Sequence, residues 1–134
     1  MNKPVEIKFD NEAYEEYKHL QKDVTEGKTT GTKPTNEQLL SSINNAIKNI
    51  KANYRYGDLI QRKYISKSVI QRYGTDKLFR AELVGYWRLI YTVIGEEVKI
   101  IAFILEFMDH EKYNKVFGYK KKWINNVNSA RLCP

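Results

Sequence analysis

The stretch LFRAELVGYWRLIYTV, residues 78–93, carries the reading of the fold. Phe79, Ala81 and Leu83 alternate with Arg80 and Glu82, and Trp87, Leu89, Tyr91 and Val93 alternate around Arg88. A period of two places each set on one face of a strand. Only Val84, Gly85 and Tyr86 separate the runs. A connection of that length aligns the two apolar rows and sets Glu82 opposite Arg88. The following run EEVKIIAFILEF, residues 96–107, is apolar on both faces, which predicts a strand inside the sheet. A two-residue turn at Gly95-Glu96 would pair Val93 with Val98 and Leu89 with Ala102. The result is an antiparallel meander.

Working back from the meander, the pattern turns helical. Ala13, Tyr14, Tyr17, Leu20, Gln21 and Val24 recur at three- and four-residue steps, predicting a helix over 11–25. Asp10 is its N-cap, Glu12, Glu15 and Glu16 suit its positive end, and Gly27 stops it. GKTTGTKP, residues 27–34, reads as a polar connection; no glycine stands where a phosphate loop needs one, so its GKT is not a nucleotide site. Thr35 and Gln38 form a capping box opening a second helix to about Asn53, with Leu39, Leu40, Ile43, Ala46, Ile47 and Ile50 as its apolar stripe. Leu59 to Ile65 is a short strand or extended connection, and Ser66 to Tyr73 forms one or two helical turns ended by Gly74. Past the meander, Asp109 caps a short helix, and the basic run Lys120-Lys121-Lys122 follows.

The expected fold is α+β in a single domain over residues 1–134. A helical hairpin packs on a three- to four-stranded antiparallel sheet, and a short C-terminal helix follows. Its core should hold Leu39, Ile43, Ile47, Phe79, Leu83, Trp87, Leu89, Tyr91, Ile100, Ala102 and Ile104.

With 42% hydrophobic and 29% charged residues, the composition is that of a globular domain. Ile100 to Leu105, the longest apolar stretch, is far below the ~20 residues that span a bilayer. The opening MNKPVEIKFD puts charges where a signal peptide needs its apolar core, so a cytoplasmic location is expected. One cysteine, Cys133, and two histidines, His19 and His110, argue against a disulfide framework and a multi-ligand metal centre. The net charge of +7 is unevenly spread. Residues 1–59 hold nine Lys/Arg and nine Asp/Glu, so 60–134 carry all of the excess, fourteen against seven. A basic half beside a neutral one suits a polyanion, with a solvated lysine-rich surface as the plainer reading.

On this strand pattern Arg80, Glu82 and Arg88 share one face, and His110 and Tyr113 follow the last strand closely enough to border it. Two guanidinium groups offer a phosphodiester paired donors that keep their charge. A carboxylate can take a proton from a ribose 2′-hydroxyl, and a histidine can protonate the leaving oxygen. That set suffices for metal-free RNA cleavage through a cyclic phosphate. The plainer reading is a cross-strand ion pair, contributing about 0–1 kcal/mol if exposed.

The run at 78–93, the apolar strand after it and DHEKY at 109–113 resemble the RelE/ParE superfamily of toxin–antitoxin toxins. That superfamily holds ribosome-dependent messenger-RNA nucleases, gyrase inhibitors and members without known activity. The resemblance implies that Arg88 stabilises the scissile phosphate and that Arg80 is a second basic group on the preceding strand. It makes Glu82 the candidate base, His110 the candidate acid and Tyr113 the residue that stacks on or orients a base. Glu82 stands where lysine-rich members carry a lysine, which makes this site less basic. The implied partners are an acidic antitoxin covering the basic surface and messenger RNA on the ribosome. No membrane, metal or cofactor is expected. The competing expectation is a gyrase inhibitor or a non-catalytic interaction module, in which Glu82 and Arg88 are only a structural pair.

Overall fold

A computed structural model describes residues 3–28, 31 and 33–118. Lys120-Lys121-Lys122, Trp123 and Cys133, together with part of the 27–34 connection, lie outside the described residues.

The chain runs β1 (Val5–Phe9), α1 (Asn11–Thr25), α2 (Asn36–Ala52), β2 (Asp58–Leu59), α3 (Lys67–Tyr73), β3 (Phe79–Glu82), β4 (Arg88–Gly95), β5 (Ile100–Met108) and α4 (His110–Val116). Each helix starts on a side-chain cap. Asp10 accepts from the Glu12 N–H at 3.3 Å, and Ser66 and Asp109 cap α3 and α4. At α2 the capping box is complete: the Thr35 hydroxyl accepts from the Gln38 N–H at 3.1 Å and Gln38 Oε1 accepts from the Thr35 N–H at 3.0 Å. Gly74, at φ 75°, ends α3 in the left-handed conformation.

The five strands form one sheet in the order β1-β5-β4-β3-β2. This corrects the expected three- to four-stranded antiparallel sheet. β1 pairs with β5 in parallel, Val5 with Ile100 through Phe9 with Ile104, so the sheet is mixed. Local pattern shows that a segment is extended but not which distant strand it joins. β5, apolar on both faces, does lie inside the sheet. The 59–65 segment is mostly irregular: β2 is two residues long, and a 3₁₀ turn covers Arg62–Tyr64.

The β4–β5 register also differs from expectation. Val93 pairs with Ala102 and Leu89 with Phe107, not with Val98 and Ala102 respectively. The hairpin closes two residues later than Gly95-Glu96, where the Glu96 N–H donates to the Lys99 carbonyl at 2.8 Å. A bulge follows, since Ile90 pairs with Glu106 but Tyr91 with Ile104, leaving Leu105 as the extra residue. The bulge lets Phe107 join the same core as Ile104 while Leu105 joins the opposite one.

Two cores result, one on each side of the sheet. The α1/α2 side buries Ala13, Leu39, Ile43, Ala46 and Ile50 against Ala81, Leu83, Leu89, Tyr91, Ala102, Ile104 and Phe107. Of the expected core, Ile47, Phe79 and Trp87 are partly buried against it, whereas Ile100 is half-buried at a strand end and belongs to neither cluster. The other side buries Ile60, Ile65, Val69, Leu78, Ile90, Leu105, Met108, Tyr113 and Phe117. No helix among the described residues is long and apolar enough to cross a membrane.

Candidate active site on the α4 side of the sheet

β3 supplies Arg80 and Glu82, and β4 supplies Arg88. The three-residue connection pairs Glu82 with Arg88 across the strands, as the sequence predicts. The side chains converge on one carboxylate oxygen: Glu82 Oε2 lies 3.2 Å from Arg88 Nε and 3.9 Å from Arg80 Nε. Arg88 is the deepest of the three, with 11% of its side chain exposed, against 28% for Arg80 and 55% for Glu82. Its buried Nε–H makes no hydrogen bond of good geometry, despite its closeness to Glu82. One of its terminal nitrogens donates to the Tyr86 carbonyl.

Below the arginines lies Tyr113. Its hydroxyl accepts from Arg80 Nη1 at 2.9 Å, and its ring centre is 5.6 Å from the Arg80 guanidinium and 5.1 Å from that of Arg88. Phe117 packs against the same ring at 4.9 Å. Tyr113 is 1% exposed. Tyr113, expected to stack on or orient a base, has its ring buried beneath the two guanidinium groups.

His110, the first residue of α4, is exposed. Its ring lies 5.8 Å from that of Tyr86, and its Nε2 lies 3.2 Å from Asn114 Nδ2. Tyr86 thus links the histidine to the arginines, touching His110 with its ring and Arg88 with its carbonyl. His110 also lines a groove of about 990 Å³ between α1, the start of α2 and α4, which contains His19, Glu15, Asp23 and Glu111 as well. Arg80, Glu82 and Arg88 do not line that groove.

Sequence reasoning missed two residues. Glu106 is buried at the bulge, where Arg72 Nη2 reaches its Oε1 at 2.9 Å, Lys112 pairs with Oε2, and the Tyr73 hydroxyl donates to Oε1 at 2.5 Å. It fastens α3 and α4 to β5. Burial and the Glu106 carboxylate raise the pKa of Tyr73, and burial with repulsion from Glu106 raises that of Glu16. The available signal was one glutamate inside an otherwise apolar strand. The other missed residue is Tyr86, an aromatic placed in a tight turn.

Among the described residues no three His, Cys, Asp or Glu side chains are grouped to hold a metal ion. No family model and no curated protein matches the chain. Among solved structures, a YoeB/ParE toxin from Agrobacterium tumefaciens is similar at 13% identity and a TM-score of 0.48, covering 78% of this chain and 98% of that one.

Proposed function

We propose that this protein is a toxin of the RelE/ParE kind and an endoribonuclease that cuts messenger RNA at the ribosome, held in check by an acidic antitoxin. The observation that carries this reading is the pair of arginines fixed on one aromatic platform. Both are held before any ligand arrives, and the deeper one keeps a buried N–H donor without a well-formed hydrogen bond. A phosphodiester oxygen offers that donor an acceptor of better geometry than Glu82 does, and pre-organised donors of this sort stabilise developing charge. The basic C-terminal half supports a polyanionic substrate.

In this reading an incoming phosphate competes with Glu82 for the guanidinium edges. Glu82, the most exposed of the three side chains, moves aside and remains next to the bound nucleotide. Its carboxylate takes the proton of the ribose 2′-hydroxyl. The 2′-oxygen attacks the adjacent phosphorus, and the bond from phosphorus to the 5′-oxygen breaks. His110 gives that oxygen a proton, leaving a 2′,3′-cyclic phosphate and a 5′-hydroxyl. Arg88 bears the charge of the pentacoordinate phosphorane, and Arg80 anchors a non-bridging oxygen.

Arg88→Ala should lower the cleavage rate by about 10²–10³-fold. The measurement is message fragmentation in a cell-free translation reaction, with folding of the variant checked by circular dichroism. Equal fragmentation by wild type and variant would remove Arg88 from the chemistry. A second reading, a gyrase inhibitor or interaction module, draws on the same Glu82–Arg88 pair as a purely structural contact. Intact message with inhibited DNA supercoiling favours it.

A further inference from the structure

The turn between β3 and β4 holds a side chain that neither the packing nor the proposed cleavage step uses. Gly85 and Tyr86 both have positive φ, 65° and 64°, and the Trp87 N–H donates to the Val84 carbonyl at 3.3 Å. Glycine, asparagine and aspartate suit positions of this kind. Gly85 must stay without a side chain, because a Cβ there would lie 2.6 Å from Pro34 Cδ. Tyr86 is under no such demand. It is the sole non-glycine among the described residues at positive φ, and it is 71% exposed. A large ring in a disfavoured conformation, turned to water, gains no burial to offset the strain, and such outliers gather at ligand-binding sites.

Its surroundings name the ligand. The Tyr86 carbonyl accepts from Arg88, which ties the ring's position to the phosphate-binding guanidinium, and one side of the ring meets the His110 imidazole. We propose that Tyr86, backed by His110, is a stacking subsite for one unpaired RNA base whose neighbouring phosphate engages Arg88. This rests on the reading of the substrate as RNA and adds the unit that is gripped. Aromatic rings hold unpaired bases this way with little regard to sequence.

The test uses the full-length protein and fluorescein-labelled 2′-O-methyl RNA hexanucleotides, which lack the attacking hydroxyl and stay intact. Each is offered complete or with one abasic position, moved along the chain, and binding is read by anisotropy at low salt. Wild type should lose roughly 10- to 100-fold in affinity at one abasic position. Tyr86→Asn should bind complete and abasic chains alike, near the wild-type abasic level, and should melt at a higher temperature because asparagine suits the turn. Arg88→Ala should weaken both probes and keep their ratio, and Tyr14→Ala, at an exposed ring on α1, should leave the ratio unchanged. RNA binding with no abasic penalty, a penalty that survives in Tyr86→Asn, or a lower melting temperature of that variant overturns the subsite while the RNA reading stands. Wild type that binds none of the hexanucleotides overturns both.

Discussion

The two faces of the sheet are made by alternate residues of the same strands, yet they are built differently. Toward α1 and α2, the alternating positions are uniformly apolar, and two helices of 15 and 17 residues cover them. Toward α3 and α4, the same strands present Ile90, Leu105 and Met108 but also Arg80, Glu82, Arg88 and Glu106. Two helices of only seven residues cover that side. The first face can be closed by area alone, since burying apolar surface needs no direction. On the second, every buried charge requires a partner at a fixed place. The helices there are short and capped, and Glu106 pins them to β5.

The comparison predicts a division of labour. Ile43→Ala on the helical-hairpin face should cost about 2–5 kcal/mol of stability in denaturant titration. The proposed message cleavage, per folded molecule, should stay at the wild-type level, the converse of Arg88→Ala. Loss of cleavage in proportion to neither face would dissolve the distinction.

Gly57 sits where the faces meet through the backbone. A Cβ there would lie 2.5 Å from the Arg80 carbonyl oxygen and 2.9 Å from the Tyr91 ring. The Gly57 N–H donates to the Tyr91 hydroxyl at 2.8 Å, and that hydroxyl donates to the Tyr54 carbonyl at 2.8 Å. Gly57→Ala should therefore cost about 1–3 kcal/mol through overpacking. It should also reduce cleavage, because β3 can yield only by moving Arg80. A variant that melts lower but cleaves as wild type would show that Arg80 tolerates the shift.

The smallest effect is a pH dependence on the first face. Burial pushes the Tyr91 hydroxyl from the ordinary 10 up to about 12, partly offset by the Gly57 N–H. The unfolded phenol ionises first, so the folded chain holds more protons between those values and stability falls as pH rises. Tyr91's contribution is present below pH 10 and is lost between 10 and about 12, at a slope of up to ~1.4 kcal/mol per pH unit. The difference between wild type and Tyr91→Phe in denaturant midpoints across that window measures it. Parallel curves would assign the alkaline loss to other groups, Tyr73 among them.

Much of the geometry of the candidate site was legible in the sequence because hairpin pairing is local. Alternation placed Arg80, Glu82 and Arg88 on one face, and a three-residue connection fixed which residues oppose each other. His110 and Tyr113 were placed near them by chain order alone. Their contacts were not legible, because a helix of two turns can present any of several residues to the sheet. Nor was the burial of Tyr113 beneath the two arginines.

By itself the sequence determined the helix bounds, the caps, the β3–β4 register and the charged face, all of which follow from interactions within a few residues. Only the tertiary structure decided that β1 joins β5 in parallel across more than ninety residues, that β5 bulges at Leu105, and that Glu106 turns into a buried ionic cluster. It also decided that Tyr86, not Tyr113, meets the solvent. These outcomes depend on which surfaces compete for burial once the strands are assembled, and no local spacing records that competition.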